Sequence, residues 1–277
     1  MRNVRLIALD LDGTLLTSAK ELSARNRTAL ARAAEQGVEI VPSTGRFFGG
    51  MPEFIRLLPF VRYAITINGA AVFDTQTQKD IYSADLSVDQ ATDIMAYLDT
   101  LPVIYDCYMD NWGWMTASMQ EKAAEFAPNE HYVKMIRELR RPVPELKAFL
   151  REQGRGVQKV QLFSRDESLR QTLLRELESR FPGIIVSSSV PRNIEINHEK
   201  ANKGDALLAL ARHLGIAREQ TAAFGDGLND VPMLNMAGIG VAMANAPMEI
   251  QALADCVTDT CDADGVAKAI EEWLVTT

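Results

Sequence analysis

Two carboxylates follow the first apolar run of this 277-residue chain, in the sequence DLDGT. Asp10 and Asp12 come after Val4–Leu9, and carboxylates so close raise each other's pKa unless a cation lies between them. A calcium loop is excluded, because Thr14 and Leu15 stand where such a loop needs a carboxylate or amide side chain and then a glycine. For this motif alone, a pair of solvated loop acids remains the alternative.

A second carboxylate pair follows another apolar run near the C-terminus, in the sequence GDGLND. Asp226 and Asp230 are four residues apart, so we expect them to share one face of a helix. The glycines beside them allow a close approach of the backbone. The alternative for this motif alone is a helix-capping aspartate and an unrelated surface aspartate.

Two further segments have side chains that suit a phosphate group. The sequence STGR combines the hydroxyl of Thr44, the flexible Gly45 and the guanidinium of Arg46, and these groups can bind phosphate oxygens. The sequence NKG begins a later helix, where Lys203 would supply a point charge. Each segment alone also fits an ordinary polar turn or helix start.

Alternating strands and helices at both ends of the chain must position these segments. The order strand, helix, strand predicts an α/β fold with a parallel, doubly wound sheet, and ligands bind at the carboxyl ends of such strands. We predict strands at Val4–Leu9, Val38–Val41, Tyr63–Ile67, Thr221–Phe224 and Gly240–Met243, and helices at Ser23–Gln36, Lys203–Leu214, Leu228–Met236 and Gly265–Leu274.

In the middle of the chain the predicted strands and helices follow a different order, which indicates an inserted α+β domain. We expect the core to comprise residues 1–82 and 198–277, and the insert residues 83–197. Ser87 and Gln90 form a capping box for a helix ending near Thr100, and Pro142 and Pro144 are expected to break the chain. A strand, a helix and a strand are predicted at Val157–Phe163, Asp166–Arg180 and Ile184–Ser188, after an aromatic stretch at Tyr105–Trp114.

The net charge, the length of the apolar runs and the cysteine spacing exclude some classes of binding partner. The chain has 29 basic and 37 acidic residues, for a net charge of −8, which disfavours binding to nucleic-acid backbones or anionic membranes. No apolar run approaches the ~20 residues that a membrane span needs. The 3 cysteines lack CxxC spacing, which predicts free thiols and a cytoplasmic setting.

Taken together, the motifs resemble those of the haloacid dehalogenase superfamily of phosphotransferases. The order DxDGT, STGR, NKG, GDxxND is typical of that superfamily, and the sequence INGA at residues 67–70 is typical of its Cof-type branch. With its insert, the chain resembles subclass IIB, whose cap is of the α/β C2B type. The resemblance implies a Rossmann-like core with an inserted cap that selects the substrate.

The resemblance also implies roles for individual residues. Asp10 would be the nucleophile that forms an aspartyl phosphate, and Asp12 the general acid and base. Mg²⁺ would be bound by Asp10, Asp226 and the backbone carbonyl of Asp12, with support from Asp230. The phosphoryl group would be bound by Leu11 (through backbone amides), Thr44, Gly45, Arg46, Lys203 and Asn229, which could instead contact Lys203.

These roles imply a Mg²⁺-dependent phosphatase acting on small phosphorylated metabolites, either sugar phosphates or a phosphorylated cofactor. A sugar phosphomutase using the same aspartyl chemistry is the alternative enzyme. A receiver-like signalling protein is the alternative of another class, but the length, the insert and the GDGLND segment oppose it. We expect a monomer or homodimer, with neither nucleic acid nor membrane as a partner.

Overall fold

The structure is a computed structural model that describes residues 3–110 and 112–274. These residues form two compact units, one of residues 3–46, 51–82 and 202–274, the other of residues 47–50 and 83–201. The first is called the core unit and the second the inserted unit. Because the last strand of the inserted unit continues through His198, this unit extends to Ala201, four residues beyond the expected boundary.

The strands are numbered in chain order. They are β1 Leu6–Asp10, β2 Glu39–Ser43, β3 Tyr63–Thr66, β4 Ala71–Asp74, β5 Lys79–Ser83, β6 Val103–Met109, β7 Trp112–Thr116, β8 Arg140–Val143, β9 Lys159–Ser164, β10 Ile184–Ser187, β11 Asn193–His198, β12 Thr221–Gly225, β13 Ile239–Met243 and β14 Cys256–Thr258.

The α-helices are numbered in the same way. They are α1 Ala24–Glu35, α2 Glu53–Arg56, α3 Val88–Leu98, α4 Ala117–Glu121, α5 Ala123–Phe126, α6 Glu130–Leu139, α7 Leu146–Gln153, α8 Glu167–Arg180, α9 Lys203–His213, α10 Val231–Met236, α11 Met248–Gln251 and α12 Gly265–Leu274.

The core unit is built on an eight-stranded sheet in the order β14-β13-β12-β1-β2-β3-β4-β5. The strands from β14 to β3 are paired in parallel, as the sequence predicts. The sequence analysis did not anticipate β4, β5 and β14, and β4 runs antiparallel to β3. The central strand β1 is buried along its whole length, so its carboxyl end is held rigidly.

Helices cover both faces of this sheet. On one face, α9 and α10 pack with β1 and β12 through an apolar cluster that includes Leu6, Leu207 and Met233. On the other, α1 packs against α12, and the buried Asn26 joins them by accepting a hydrogen bond from the Ala267 N–H. Each fully buried aliphatic side chain stabilises the fold by about 1.5–3 kcal/mol.

One predicted helix of the core unit is interrupted. The sequence predicts a continuous helix over Leu228–Met236, but the structure has a 3₁₀ turn at Leu228–Asp230 followed by α10. Pro232 lies in the first turn of α10, where its missing N–H is tolerated and its ring favours a helix start. The interruption places Asp230 at the junction of the two elements.

The inserted unit has a six-stranded sheet in the order β10-β11-β9-β6-β7-β8, and the capping box of α3 is formed as predicted. The aromatic stretch forms β6 and β7, with Asp110 in a turn after β6 and Asn111 outside the described residues. Pro142 does not break the chain, because it lies in β8 at the edge of the sheet, where a missing N–H is tolerated. The sequence analysis missed α4, α5, α6, α7, β8 and β11.

Among the helices of residues 3–110 and 112–274, none combines the length and the apolar character that crossing a bilayer requires.

Candidate active site

Asp10 lies at the carboxyl end of β1, between two parallel neighbours. In the sheet register it stands opposite Ser43 of β2, while β12 flanks β1 on its other side. The Asp10 side chain is almost fully buried, which makes its charge expensive unless cations or hydrogen-bond donors surround it.

Lys203 is the cation that approaches Asp10 most directly. Its Nζ donates hydrogen bonds of 2.6 Å to Asp10 Oδ1 and 2.6 Å to Asp230 Oδ1, and the side chain is fully buried. Burial alone would lower the pKa of Lys203, but the charges of the two carboxylates outweigh burial and raise this pKa. Lys203 therefore stays positively charged and links Asp10, from the part of the core unit before the insert, to Asp230, from the part after it.

Asp10, Asp226 and Asp230 form an acidic triad. One carboxylate oxygen from each lies within 4.8 Å of the others. Burial, together with the charges of Asp230 and Asp226, raises the pKa of Asp10 to about 7, although Lys203 opposes this rise. One lysine does not balance three carboxylates, and the donor set is the one that a hard divalent cation such as Mg²⁺ prefers. The triad therefore fits such an ion.

Asp226 is oriented by a residue that sequence reasoning did not assign to the site. The Thr14 hydroxyl donates a 2.7 Å hydrogen bond to Asp226 Oδ1 across 212 positions of sequence. Burial and the nearby Asp230 raise the pKa of Asp226, and the Thr14 hydrogen bond works against that rise. The signal available in the sequence was the threonine of the DGT motif itself.

Asp230 holds the GDGLND segment in shape. Its Oδ2 accepts hydrogen bonds of 2.9 Å from the backbone N–H groups of both Asp226 and Gly227. The expectation that Asp226 and Asp230 share a helix face is wrong, because Asp226 lies in the loop before the 3₁₀ turn. The two carboxylates meet through a folded-back loop instead.

Asp12 does not belong to the acidic triad. Its carboxylate is ion-paired with Lys20 at 2.9 Å and with Arg46 at 3.0 Å. Partial burial disfavours the charged form, but these two cations outweigh burial and lower the pKa of Asp12. The structure groups three of the four carboxylates of the two motifs and pairs the fourth with cations, one of which, Lys20, was not anticipated.

Thr44 joins the STGR segment to the INGA turn. The buried Thr44 Oγ1 accepts a 3.2 Å hydrogen bond from the Arg46 N–H, and the Thr44 carbonyl accepts one of 3.0 Å from the Asn68 N–H. Ile67 and Asn68 both have positive φ, 54° and 56°, which is strained for a β-branched residue such as isoleucine. Such strain is concentrated at functional sites.

Asn68 also contacts Asn229, which lies in the part of the core unit that follows the insert in the chain. Asn229 Nδ2 donates a 3.2 Å hydrogen bond to the Asn68 side-chain oxygen, so Asn68, rather than Lys203, is its partner in the structure. Gly45 lies against the Asn68 side chain, and Leu11 is fully buried in the turn after β1. The strand ends thus bring every candidate residue into the core unit, with Asp12 and Arg46 forming a separate pair.

Comparisons with known proteins agree on one family. The model of the haloacid dehalogenase-like hydrolases matches residues 7–270. The phosphatase YwpJ of Bacillus subtilis strain 168 is 32% identical over 298 residues, covering 98% of this chain and 100% of the relative. A second relative from that strain, 5-amino-6-(5-phospho-D-ribitylamino)uracil phosphatase YcsE, is 30% identical, with coverage of 99% and 97%. A crystal structure of a haloacid dehalogenase-like hydrolase from Bacteroides thetaiotaomicron superposes with a TM-score of 0.82 at 30% identity, covering 98% of this chain and 100% of that one.

Proposed function

The chain belongs to the haloacid dehalogenase-like hydrolases and is a phosphatase, and we propose that it dephosphorylates small metabolites with Mg²⁺ through an aspartyl phosphate on Asp10. The observation that carries the proposal is the buried contact of Lys203 with both Asp10 and Asp230 beside Asp226. A nucleophilic carboxylate, a fixed cation and a donor set for a hard cation are what phosphoryl transfer from a monoester requires.

Asp10 is the nucleophile in this proposal. One carboxylate oxygen forms a bond to phosphorus while the bond from phosphorus to the leaving alcohol oxygen breaks. Water then attacks phosphorus, the bond to Asp10 breaks and inorganic phosphate leaves. Lys203 holds the attacking carboxylate and, with Thr44 and backbone amides near Leu11, neutralises negative charge on the phosphoryl oxygens.

Asp12 moves the proton in both steps. It donates a proton to the leaving oxygen in the first step and takes one from water in the second. Its ion pairs with Lys20 and Arg46 favour the charged form, which suits the second step. The first step needs the protonated form, so Asp12 must leave at least one of these ion pairs when substrate binds.

The proposed metal ligands are Asp10, Asp226 and the backbone carbonyl of Asp12, with Asp230 in support. Bound there, Mg²⁺ would neutralise the charge of the carboxylates and of the transferring phosphoryl group. Thr14 keeps the Asp226 carboxylate in the orientation that the site needs, and Asp230 keeps its loop closed. Gly45, Arg46 and Asn229 complete the proposed phosphate-binding set.

The substrate class is proposed from the relatives and the site together. A relative 30% identical is named for a phosphorylated ribityl compound, and a more distant one, 28% identical, for pyridoxal phosphate. Sugar phosphates or a phosphorylated cofactor are the substrates we propose for this chain. The three cysteines are free, which supports the proposed cytoplasmic setting.

The test is the release of inorganic phosphate from p-nitrophenyl phosphate and from a panel of sugar phosphates, with and without Mg²⁺. We expect multiple turnovers with Mg²⁺ and none after chelation by EDTA. Asp10→Asn, assayed fresh so that deamidation is excluded, should abolish turnover because an amide does not attack phosphorus. Asp259→Asn, a change in an ion pair with Lys268 outside the site, should leave it unchanged.

Two results would reject the proposal. One is near-native turnover by Asp10→Asn, and the other is full activity without any divalent ion. A requirement for a bisphosphorylated activator, with the phosphoryl group returned to the product rather than to water, would identify a phosphomutase instead.

A further inference from the structure

The loop that follows β1 carries several groups of the proposed site. We call residues 11–20 the β1 loop. Thr14 of this loop donates a hydrogen bond to Asp226. Asp12 contributes a backbone carbonyl that is a proposed metal ligand, and its carboxylate is paired with Lys20. The position of the β1 loop therefore decides whether these groups face the acidic triad.

The backbone of the β1 loop lies closest to the acidic triad at Gly13. Gly13 has φ of 93°, and a Cβ added there would collide with the Asp226 carboxylate. Because no side chain fits between them, a small displacement of the Gly13 backbone would crowd or release that carboxylate. The loop's own hydrogen bond at Thr14, from its N–H to the Leu11 carbonyl, is long at 3.4 Å. A contact from outside the loop therefore has a large influence on where Gly13 lies.

Asn245 supplies such a contact from a distant part of the core unit. Its Nδ2 donates a 2.8 Å hydrogen bond to the Gly13 carbonyl, across 232 positions of sequence. Its Oδ1 accepts a 2.9 Å hydrogen bond from the Cys261 N–H. Both ends of the side-chain amide are therefore used, and the amide holds Gly13 and Cys261 at a fixed separation.

The turn that carries Asn245 is itself held in place. Asn245 follows β13, whose carboxyl end lies at the same edge of the parallel sheet as that of β1. Gln251 Nε2 donates hydrogen bonds of 3.2 Å and 2.8 Å to the carbonyls of the residues on both sides of it, Ala244 and Ala246. Ala246 is also buried in the apolar cluster of the core unit. Asn245 thus lies on a fixed turn, although the residue itself is exposed.

Asp262 holds the β1 loop at a second point. Its Oδ1 accepts a 2.8 Å hydrogen bond from the Ser18 N–H. Asp262 lies in the same 3₁₀ turn as Cys261, the partner of Asn245. The two contacts therefore come from neighbouring parts of the fold and reach the β1 loop at positions before and after Thr14.

We propose that Asn245 and Asp262 are positioning residues for the metal side of the site. They hold the β1 loop so that Thr14 and the Asp12 carbonyl face Asp226. The proposal rests on the proposed phosphatase function, which places Mg²⁺ at the acidic triad. Both residues are exposed, and a hydrogen bond formed in water brings only a small net gain in stability. Orientation of the site explains these two contacts better than folding does.

The test measures the Kd of the protein for Mg²⁺ by isothermal titration calorimetry, which requires no turnover. Asn245→Ala removes the hydrogen bond to Gly13. We expect its Kd to rise about 10-fold, the lower end of the range for residues that orient a metal ligand. The KM for p-nitrophenyl phosphate at saturating Mg²⁺ should be nearly unchanged, because Thr44 and Lys203 lie on other segments. An unchanged Kd would overturn the role of Asn245.

Asn129→Ala is the matched control. Asn129 is also an exposed asparagine, and its side chain accepts a 3.2 Å hydrogen bond from the Tyr132 N–H in the inserted unit. This variant loses a helix N-cap, so we expect a small loss of Tm and the same Kd for Mg²⁺ as in the unmodified protein. An equal rise of Kd in both variants would trace the effect to a general loss of stability and reject the positioning role.

Two variants of Asp262 separate its hydrogen bond from its charge. Asp262→Ala removes both, whereas Asp262→Asn removes the charge and keeps an oxygen that accepts from the Ser18 N–H. We expect the Kd of Asp262→Ala for Mg²⁺ to be about 10-fold higher than that of Asp262→Asn. Equal values would overturn the role of this hydrogen bond. If Asn245→Ala does not fold, as judged by thermal unfolding in EDTA, this pair decides the proposal alone.

These outcomes are separable from those of the proposed function. If the unmodified protein binds Mg²⁺ but hydrolyses no phosphate ester, the phosphatase proposal fails, and the Kd values still decide the roles of Asn245 and Asp262. If the unmodified protein hydrolyses esters and the alanine variants bind Mg²⁺ as tightly as it does, only the positioning proposal fails. An unmodified protein that binds no Mg²⁺ would reject both.

Discussion

At the scale of single residues, the properties of the site depend on which cation or hydrogen-bond donor contacts each carboxylate. Lys203 contacts Asp10 and Asp230, Thr14 contacts Asp226, and Asp12 is paired with cations. The side chains that contact each carboxylate therefore influence its charge and its orientation, on which the proposed chemistry depends.

Thr14→Val tests the support of Asp226. Valine keeps the shape of threonine but removes the hydroxyl, so Asp226 loses its 2.7 Å hydrogen bond. Removing such a partner of a metal ligand typically weakens metal affinity by about 10- to 100-fold. We expect the Mg²⁺ concentration for half-maximal activity to rise by that factor, with kcat at saturating Mg²⁺ less affected.

The control for this prediction is Thr28→Val. The Thr28 hydroxyl donates to the backbone carbonyl of Ala24 on the exposed surface of α1, so its loss should leave the Mg²⁺ dependence unchanged. An unchanged Mg²⁺ dependence in Thr14→Val would show that Asp226 does not need this hydrogen bond.

Asp12→Asn tests proton transfer. An amide cannot protonate the leaving oxygen, so turnover of alkyl phosphates should fall by about 10²- to 10⁴-fold. Aryl phosphates with good leaving groups need less protonation and should lose less in the first step. Rates of phosphoenzyme formation across a leaving-group series measure this difference. A uniform loss across the series would argue against Asp12 as the acid.

At the scale of elements, the approach of the INGA turn to the start of α9 positions Lys203. Gly69 has φ of 92°, and a Cβ there would collide with the backbone carbonyl of Asn202, the N-cap of α9. Asn202 caps the helix by accepting a hydrogen bond from the Asp205 N–H at 2.8 Å. A close approach of two backbones thus fixes the first residue of α9.

Gly69→Ala tests this close approach, with Gly37→Ala as its matched control. Gly37 also has positive φ, 82°, but no atom lies near the position of an added Cβ. Gly37→Ala should therefore show only the backbone penalty, about 1–2 kcal/mol. Gly69→Ala should lower the free energy of unfolding in urea by about 1–3 kcal/mol more, from overpacking. Equal losses in the two variants would contradict the close approach.

At the scale of the whole molecule, metal binding should be linked to stability. The acidic triad concentrates like charges in the folded state, and the unfolded chain disperses them. A ligand that binds only the folded state stabilises it by mass action, by about 2.7 kcal/mol at 100 times its Kd.

We therefore expect Mg²⁺ to raise the Tm of the protein, and KCl at equal ionic strength to raise it much less. Asp226→Asn removes one charge of the triad, so its Tm should rise less with Mg²⁺ than that of the unmodified protein. Differential scanning calorimetry measures both. A Tm that does not respond to Mg²⁺ would contradict binding of the ion at the triad.

The sequence alone determined which residues end the strands of the core sheet. Short apolar runs predicted β1, β2, β3, β12 and β13 to within about two residues, because buried parallel strands read as continuous apolar segments. Strand ends at one edge of a parallel sheet then meet, which predicted a common site for Asp10, Thr44 and Asp226. The inserted unit was less predictable, since α4 and α5 are short and the edge strand β8 contains a proline.

Only the tertiary structure decided which of these groups touch. Lys203 contacts Asp10 across 193 positions of sequence, and Asn229 contacts Asn68 across 161. The structure also paired Asp12 with Lys20 and Arg46, and the buried Asp106 with Arg140. The physical reason is that hydrogen bonds and ion pairs act over about 3 Å, whereas sequence patterns report only the local period of each element. Partners from different elements become defined only when the sheet register and the loops place them at that distance.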